Sequence, residues 1–264
     1  MVLLTGGGSF AKAYQEQFDA EIASIRELGE AEFLKKLTEA TTIIHNAATI
    51  VSDDLEFLTT RNFDFTRFVV QKLQELNPQA HLVLLSSMSI LDPENSEAYG
   101  DVLTMMPYAY SKYLAETYCL KSPLAHVSCV RFSTLFFQDP SKDGLSKLVT
   151  DAVTSAKITV YNGGEARRNF LPLRVAVQYV AKIAEQTAPG KQTYTLAAPA
   201  STSFGDVAEI LKKLLPGLQV EDKSLPSGGA PVLAEFSTAN ITKLGQIDFS
   251  LEDEIAVYVR ELQA

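Results

Sequence analysis

Cysteine is scarce in this chain. Cys119 and Cys129 are too few for a disulfide framework and lack the spacing of metal ligands, so both are expected as reduced, buried thiols. Long apolar runs are missing as well. No stretch approaches the roughly 20 uninterrupted apolar residues that span a bilayer, and no basic flank precedes an apolar core at the start, so a cytoplasmic location without membrane insertion is expected. Cationic side chains are outnumbered, 23 Lys and Arg against 32 Asp and Glu, for a net charge of -9. Bulk electrostatics therefore argues against nucleic acid or an anionic membrane as partner, and an anionic substrate would need a local basic pocket. Internal repeats and low-complexity segments are also absent.

What is present is enough apolar residue, 46% of 264, for one large domain or a domain with a smaller lobe. Short β-rich runs alternate with helical patterns, the signature of a parallel sheet built from βαβ units. Strands are expected at Val2 to Thr5, Glu21 to Ile25, Thr42 to His45, His81 to Leu85 and Val127 to Arg131. The clearest helix is Phe63 to Leu76, with Phe65, Phe68, Val69, Leu73 and Leu76 on one stripe. After about residue 136 the alternation stops, and Gly, Pro and Ser gather at Gln138 to Gly144, Gly163-Gly164 and Ser224 to Pro231.

Ligands of a doubly wound sheet sit at the carboxyl ends of its strands, so the residues that follow each strand carry the functional information. The first strand leads into TGGGSFAK, residues 5–12. Counting from Gly6, the next two places of a spaced-glycine fingerprint hold Ser9 and Lys12, and Lys12 is expected to loosen the helix-to-strand packing that glycine permits. The second strand leads to Arg26, the third to HNAAT (His45 to Thr49), and the fourth to SSMS (Ser86 to Ser89). About twenty residues later comes PYAYSK. If a helix begins near Pro107, Tyr108 and Lys112 lie one turn apart on one face. An ammonium there lowers the phenol's pKa, and such a tyrosine can give or take a proton as hydride moves to or from a carbonyl carbon.

The order and spacing of TGGGSF, HNAAT, Asn62 of RNFDFT, LLSSMS, PYAYSKYLAE with its later Glu116, VRFSTLF, VYNGGEARRNFLPL, YTLAAPAST and FSTANITKLG extend over nearly the whole chain. Together they resemble the extended branch of the short-chain dehydrogenase/reductase superfamily, the NAD-dependent epimerase/dehydratase family acting on nucleotide sugars. The resemblance implies an α/β fold with a Rossmann-type doubly wound parallel sheet and a smaller C-terminal substrate-binding lobe. Residues 1–135 would form the NAD(P)-binding domain with 172–198 returning to it; 136–171 and 199–264 would form the lobe.

The resemblance also implies roles. Tyr108 would be the acid/base, Lys112 its tuner and a ribose ligand, and Ser87 the hydroxyl that orients the reacting oxygen, although the family's alignment admits Met88 at that place, with Ser87 or Ser89 substituting. Gly6, Ser9, Phe10, Arg26, Asn46, Ala47, Ala48 and Ser86 would serve the cofactor; Thr134 and Arg168 would join Ser87 in binding substrate; no metal is implied. Pro172 and Val175 stand where His and Asp often appear in the family, and the strand and aspartate that usually hold the adenine are missing between Arg26 and Thr41. Arg26 points to NADP, and Glu27 one place later keeps NAD as the alternative. The expected activity is hydride transfer at a hydroxyl or keto carbon of a nucleotide sugar, with reduction favoured over epimerisation on a retained NAD. A non-catalytic NAD(P)-binding sensor or scaffold, and a reductase of small carbonyls or lipids, are the competing readings. Family members pair through the two helices that begin here near Phe63 and Tyr108, so a homodimer is expected, with Phe63, Val70, Tyr113 and Tyr118 on its face.

Overall fold

A strand in the middle of a parallel sheet is covered on both faces, so its residues are apolar throughout instead of alternating. The first five strands are β1 (Val2–Leu4), β2 (Glu21–Ile22), β3 (Thr42–His45), β4 (His81–Ser87) and β5 (His126–Phe132). Every residue of β3 and β5 is buried, and all of β4 except Ser87. With strand Gly190–Leu196 they make a six-stranded parallel sheet in the order Gly190–Leu196, β5, β4, β3, β1, β2. The computed structural model describes residues 1–50, 52–95, 97–225 and 243–264. Most of FSTANITKLG, and Pro226 to Pro231 of the third Gly/Pro/Ser-rich stretch, lie outside the described residues.

Helices cover both faces. On one, Phe10 and Tyr14 of α1 (Ser9–Gln17) and Val175, Val180 and Ile183 of helix Leu173–Ala184 pack on Leu4, Ile44, Val83 and Val130. On the other, α3 (Glu30–Glu39), following the short α2 (Ile25–Leu28), supplies Phe33 and Leu37. There α5 (Phe65–Leu76), which follows the one-turn α4 (Leu55–Leu58), adds Val69 and Leu73; α6 (Pro107–Lys121) adds Ala115 and Cys119 over Leu3, Ile43, Leu82 and Val127. Both cysteines are free and buried, as their scarcity implied. A separate cluster joins Phe136, Val149, Ile158, Phe170, Leu211 and Ile255, drawn from helices Gly144–Ser155, Phe204–Leu214 and Leu251–Gln263 and the short strands among them. Among the described residues no helix is long and apolar enough to cross a membrane.

Several local expectations need correction. The second strand stops at Ile22, because it is a sheet edge paired to β1 alone, and the chain turns into α2 after Ser24. Arg26 is therefore a helical residue, and Gly29, at φ 77°, ends that turn of helix in the left-handed region that glycine tolerates. The helix expected from Phe63 begins as a π turn, Thr59–Asp64, that runs into α5. Val70 is fully buried in the core and belongs to no outer face. Lys12 does not loosen α1: its side chain is exposed, while Ala11, fully buried, takes the close contact with the sheet.

Two histidines in the sheet make stability depend on pH. His45 is held down to about 3 by burial and then by the Lys112 charge, and His81 to about 3 by burial and then by its stacked neighbour His126, whose ring lies 3.5 Å away. Between these values and about 6.5, the unfolded chain binds protons that the fold excludes, so stability is complete above about pH 6.5 and declines as pH falls. The slope contributed is at most about 1.4 kcal/mol per pH unit for each histidine. Thermal unfolding should shift downward from pH 7.5 to pH 5, and His81→Gln should flatten the shift; equal midpoints at both pH values would contradict it.

Candidate active site

The carboxyl ends of β1, β3, β4 and β5 lie side by side, and two cavities open there. The first, of about 520 Å³, is bounded by Gly6, Gly7 and Gly8 after β1, Arg26 in α2, Asn46, Ala47 and Ala48 after β3, and Arg61 in the π turn. Helix α1 begins at its edge with Gly8 as N-cap and no side-chain cap, so its positive end is open to an anion. A side chain at Gly6 would meet the Cα of Ala47 at 3.1 Å, which explains both the glycine and the small residue opposite. Space is open beside Gly8, and the nearest atom a side chain at Gly7 would meet is the Ile22 Cγ2 at 3.9 Å. None of the described residues bordering this cavity is acidic. An uncapped helix start, an open glycine bend and two guanidinium groups fit the pyrophosphate and phosphates of a dinucleotide.

Asn46 does more than line this space. Its Oδ1 accepts the Gly6 N–H at 3.0 Å and its Nδ2 donates to the Gly6 carbonyl at 2.8 Å, so one side chain fixes both sides of the first glycine. Ser9 is the first helical residue of α1, and Phe10 leaves the cavity altogether, packed against Phe132 with ring centroids 5.8 Å apart. Ser86, one residue before the end of β4, borders neither cavity, and its buried hydroxyl has no hydrogen-bond partner among the described residues.

Asn62, fully buried in the π turn, ties this cavity to α6. Its Oδ1 accepts the Thr49 N–H at 2.8 Å; its Nδ2 donates to the Thr49 carbonyl at 2.9 Å and to Ser111 Oγ at 3.0 Å. Ser111 Oγ in turn donates to the Tyr108 carbonyl at 2.8 Å. Below it, Thr66 Oγ1 donates to the Asn62 carbonyl at 2.6 Å, which leaves that hydroxyl to accept from His45 Nε2 at 3.0 Å, with His45 Nδ1 accepting from Thr5 Oγ1 at 2.7 Å. His45 is thus a neutral tautomer that spans β1, β3 and α5. Neither role is legible from residue type or spacing, since one asparagine in a helical turn or one histidine at a strand end has no distinctive pattern.

Pro107 opens α6, and Tyr108 and Lys112 follow on one face. The Tyr108 phenol is pushed up to about 12 by burial, and a hydrogen bond with Ser87 draws it back toward its ordinary value. The Lys112 ammonium is buried, donates to the Leu85 carbonyl at 2.5 Å, and is itself lowered to about 8 by burial against the pull of Glu116. Glu116 Oε1 accepts from Arg131 Nε at 2.9 Å and from the Tyr99 hydroxyl at 3.0 Å, which binds α6 to β5 and to the segment after β4. The second cavity, about 190 Å³, lies beside Ser87 and is lined by Ser89, Thr134, Arg167, Arg168 and Asn169. Ser87, Thr134 and Arg168 are therefore brought together as expected of one site, and Asn169, missed in the sequence, fixes the wall by pairing with both the N–H and carbonyl of Ala198 at 2.7 and 2.9 Å. Met88 packs in an apolar cluster with Ile90 and Leu91, and Ser87 and Ser89 both present hydroxyls at this edge.

Replacing Asn62 by leucine removes three buried hydrogen bonds and strips their partners. The cost should be about 2–3 kcal/mol in denaturant unfolding, with weakened dinucleotide binding; a neutral substitution would show that the π turn does not join the two segments.

Comparison with known proteins now bears on this arrangement. No curated protein sequence matches the chain. Solved structures do: TunA, an NAD-dependent NDP-hexosamine 5,6-dehydratase of tunicamycin biosynthesis, has a TM-score of 0.81 at 18% identity, covering 99% of this chain and 97% of its own. The UDP-glucose 4-epimerase of Thermotoga maritima, solved with UDP-glucose, gives 0.78 at 15%, covering 99% and 98%. The dTDP-glucose 4,6-dehydratase of Bacillus anthracis, solved with NAD, gives 0.76 at 15%, covering 99% and 96%. At these identities the likeness speaks for the fold. Residues 11–197, which run from α1 to the end of the sixth sheet strand and include the Tyr108/Lys112 helix, match the sequence model of one family, and on that match the chain belongs to the NAD-dependent epimerase/dehydratase family.

Proposed function

We propose that this protein moves hydride between a nicotinamide dinucleotide and a hydroxyl or keto carbon of a nucleotide-linked sugar, with Tyr108 as its acid/base. The observation that carries the reading is the convergence of Ser87, Thr134 and Arg168 on one cavity at the end of β4, against which packs the helix that holds Tyr108 and Lys112 one turn apart. The dinucleotide supplies or accepts the hydride when bound. Tyr108 is protonated at neutral pH and so can give its proton to a developing alkoxide, the part that reduction, the direction taken here, requires of it. The compared structures are of an epimerase and two dehydratases, so epimerisation on a retained NAD stands as the second reading. Ser87 orients the reacting oxygen, and the half-buried Arg168 offers a guanidinium fork to a diphosphate. In this reading residues 1–135 with 172–198 hold the dinucleotide and the remainder forms the substrate lobe.

The reading further takes NADP as the cofactor, supported by Arg26 and Arg61 on the first cavity; Glu27 is not among the residues bordering it. A homodimer through α5 and α6 is retained on Phe63, Tyr113 and Tyr118, each partly exposed, without Val70. Light scattering at the mass of one chain would remove that part.

Tyr108→Phe should lower turnover by about 10²-fold or more while leaving dinucleotide affinity unchanged; unaltered turnover would sink the catalytic role. Arg26→Ala and Arg61→Ala should each weaken NADPH by about tenfold and NADH little, by loss of a charged hydrogen bond. Equal affinity of the unsubstituted protein for NADH and NADPH would overturn the NADP assignment and leave the retained-NAD reading in its place.

A further inference from the structure

The opposite edge of the sheet, where the strands begin, holds a third cavity, of about 500 Å³. Its walls come from residues that open β1, β3, β4 and β5, among them Val2, Thr42, His81 and His126, and from the segments in which α1 and helix Leu173–Ala184 end. Asp19 and Glu185 border it and no lysine or arginine does, so its charge is the reverse of that in the first cavity. Neither carboxylate makes an ion pair or a hydrogen bond among the described residues. The two helices add to the sign, because a helix C-terminus carries partial negative charge. Neither end has a cation to offset it: α1 has no basic residue in its last turn, and Lys182, in the last turn of the other helix, is spent on the carbonyls of Leu244 and Gly245 at 3.0 and 3.4 Å. The Tyr14 phenol on the wall is pushed up to about 12 by burial and then by the Glu185 charge.

One imidazole is left open on this edge. His81 Nε2 is tied to Ser128 Oγ at 2.9 Å, and His126 lies flat against the His81 ring, with centroids 3.5 Å and planes 2° apart. His126 is only 8% exposed, yet its ring makes no hydrogen bond among the described residues. Burial lowers its pKa from the ordinary 6.5, so at neutral pH it carries a free nitrogen lone pair. Buried polar groups are ordinarily paired, and an acceptor left over on a cavity wall calls for a donor. No three His, Cys, Asp or Glu side chains among the described residues are grouped to hold a metal ion, which leaves an organic donor. We propose that this cavity binds a small organic cation, a linear diamine whose ammonium groups pair with Asp19 and Glu185, one of them donating to His126, while its alkyl stem lies on Tyr14 and Phe18, whose ring centroids are 5.2 Å apart. The site shares no lining residue with either cavity at the carboxyl edge and does not depend on the hydride transfer proposed above.

The test adds putrescine as probe to the full chain at constant ionic strength and pH 7.5 and follows the histidine Hε1 proton resonances. The chain has three histidines, and His45, at the carboxyl end of β3, is the internal control. His81 and His126 are assigned by the resonance lost in His81→Gln and in His126→Gln. Putrescine should move the His126 resonance along a saturable curve and leave that of His45 in place. Asp19→Asn and Glu185→Gln, both at exposed positions, should each raise the midpoint of that curve by about tenfold, as loss of one charge-assisted hydrogen bond requires. Glu94→Gln, an exposed acid outside the cavity, should leave it unchanged, and butylamine, with one ammonium, should bind more weakly than the diamine. Circular dichroism shows that each variant is folded. A curve that does not saturate, equal movement with sodium chloride in place of putrescine, or an unchanged midpoint in both Asp19→Asn and Glu185→Gln would overturn the site.

Discussion

A single buried amide holds the two halves of the site in register. Asn62 can neither reach water nor leave its polar atoms unmatched without a cost of about 1–3 kcal/mol each. It satisfies them by clasping Thr49, at the rim of the first cavity, and Ser111, one turn beyond Tyr108. The π turn around it is the backbone adjustment that lets an asparagine before α5 reach both. Because Ser111 also bonds the Tyr108 carbonyl, the register of the first turn of α6 is set by the same contact that shapes the loop after β3. Asn46 performs a similar service for the glycine bend, and His45 locks the strands beneath both.

Electrostatics at this edge follows from enclosure more than from charge pairing. Burial raises the Tyr108 phenol and lowers Lys112, so each is moved toward its neutral form, and the hydroxyl of Ser87 opposes the shift of the phenol. A net negative chain nevertheless presents Arg26 and Arg61 at one cavity and Arg167 and Arg168 at the other. This local concentration of guanidinium groups is what anionic ligands would need on a surface that otherwise repels them.

Much of the scaffold was legible because it depends on local pattern. Continuous apolar runs marked the central strands, Pro107 marked the start of α6, and the spacing of Tyr108 and Lys112 placed both on one face. The sequence misled where tertiary contact overrode the pattern: the edge position shortened β2 and turned Arg26 into a helix, and Ala11 took the packing role expected of position 12. Phe10 read as a loop residue near the cofactor but is core. Asn62, His45, Asn169 and Ser89 gain their roles from partners far along the chain or from a tight turn, neither of which leaves a periodic trace. The tuning of Tyr108 by Lys112 is a pairwise expectation from spacing, whereas the partner the ammonium meets, the Leu85 carbonyl, is set by how α6 packs on β4.

The central claim is hydride exchange between a bound nicotinamide and a sugar carbon at Tyr108. Stopped-flow absorbance at the band of reduced nicotinamide, after mixing the protein loaded with oxidised dinucleotide against a set of nucleotide sugars, tests it most directly. The account predicts a rise with at least one sugar, lasting if the reaction is a reversible oxidation and transient if the cofactor is retained. No rise with any nucleotide sugar, while binding of both ligands is demonstrated by calorimetry, would contradict it.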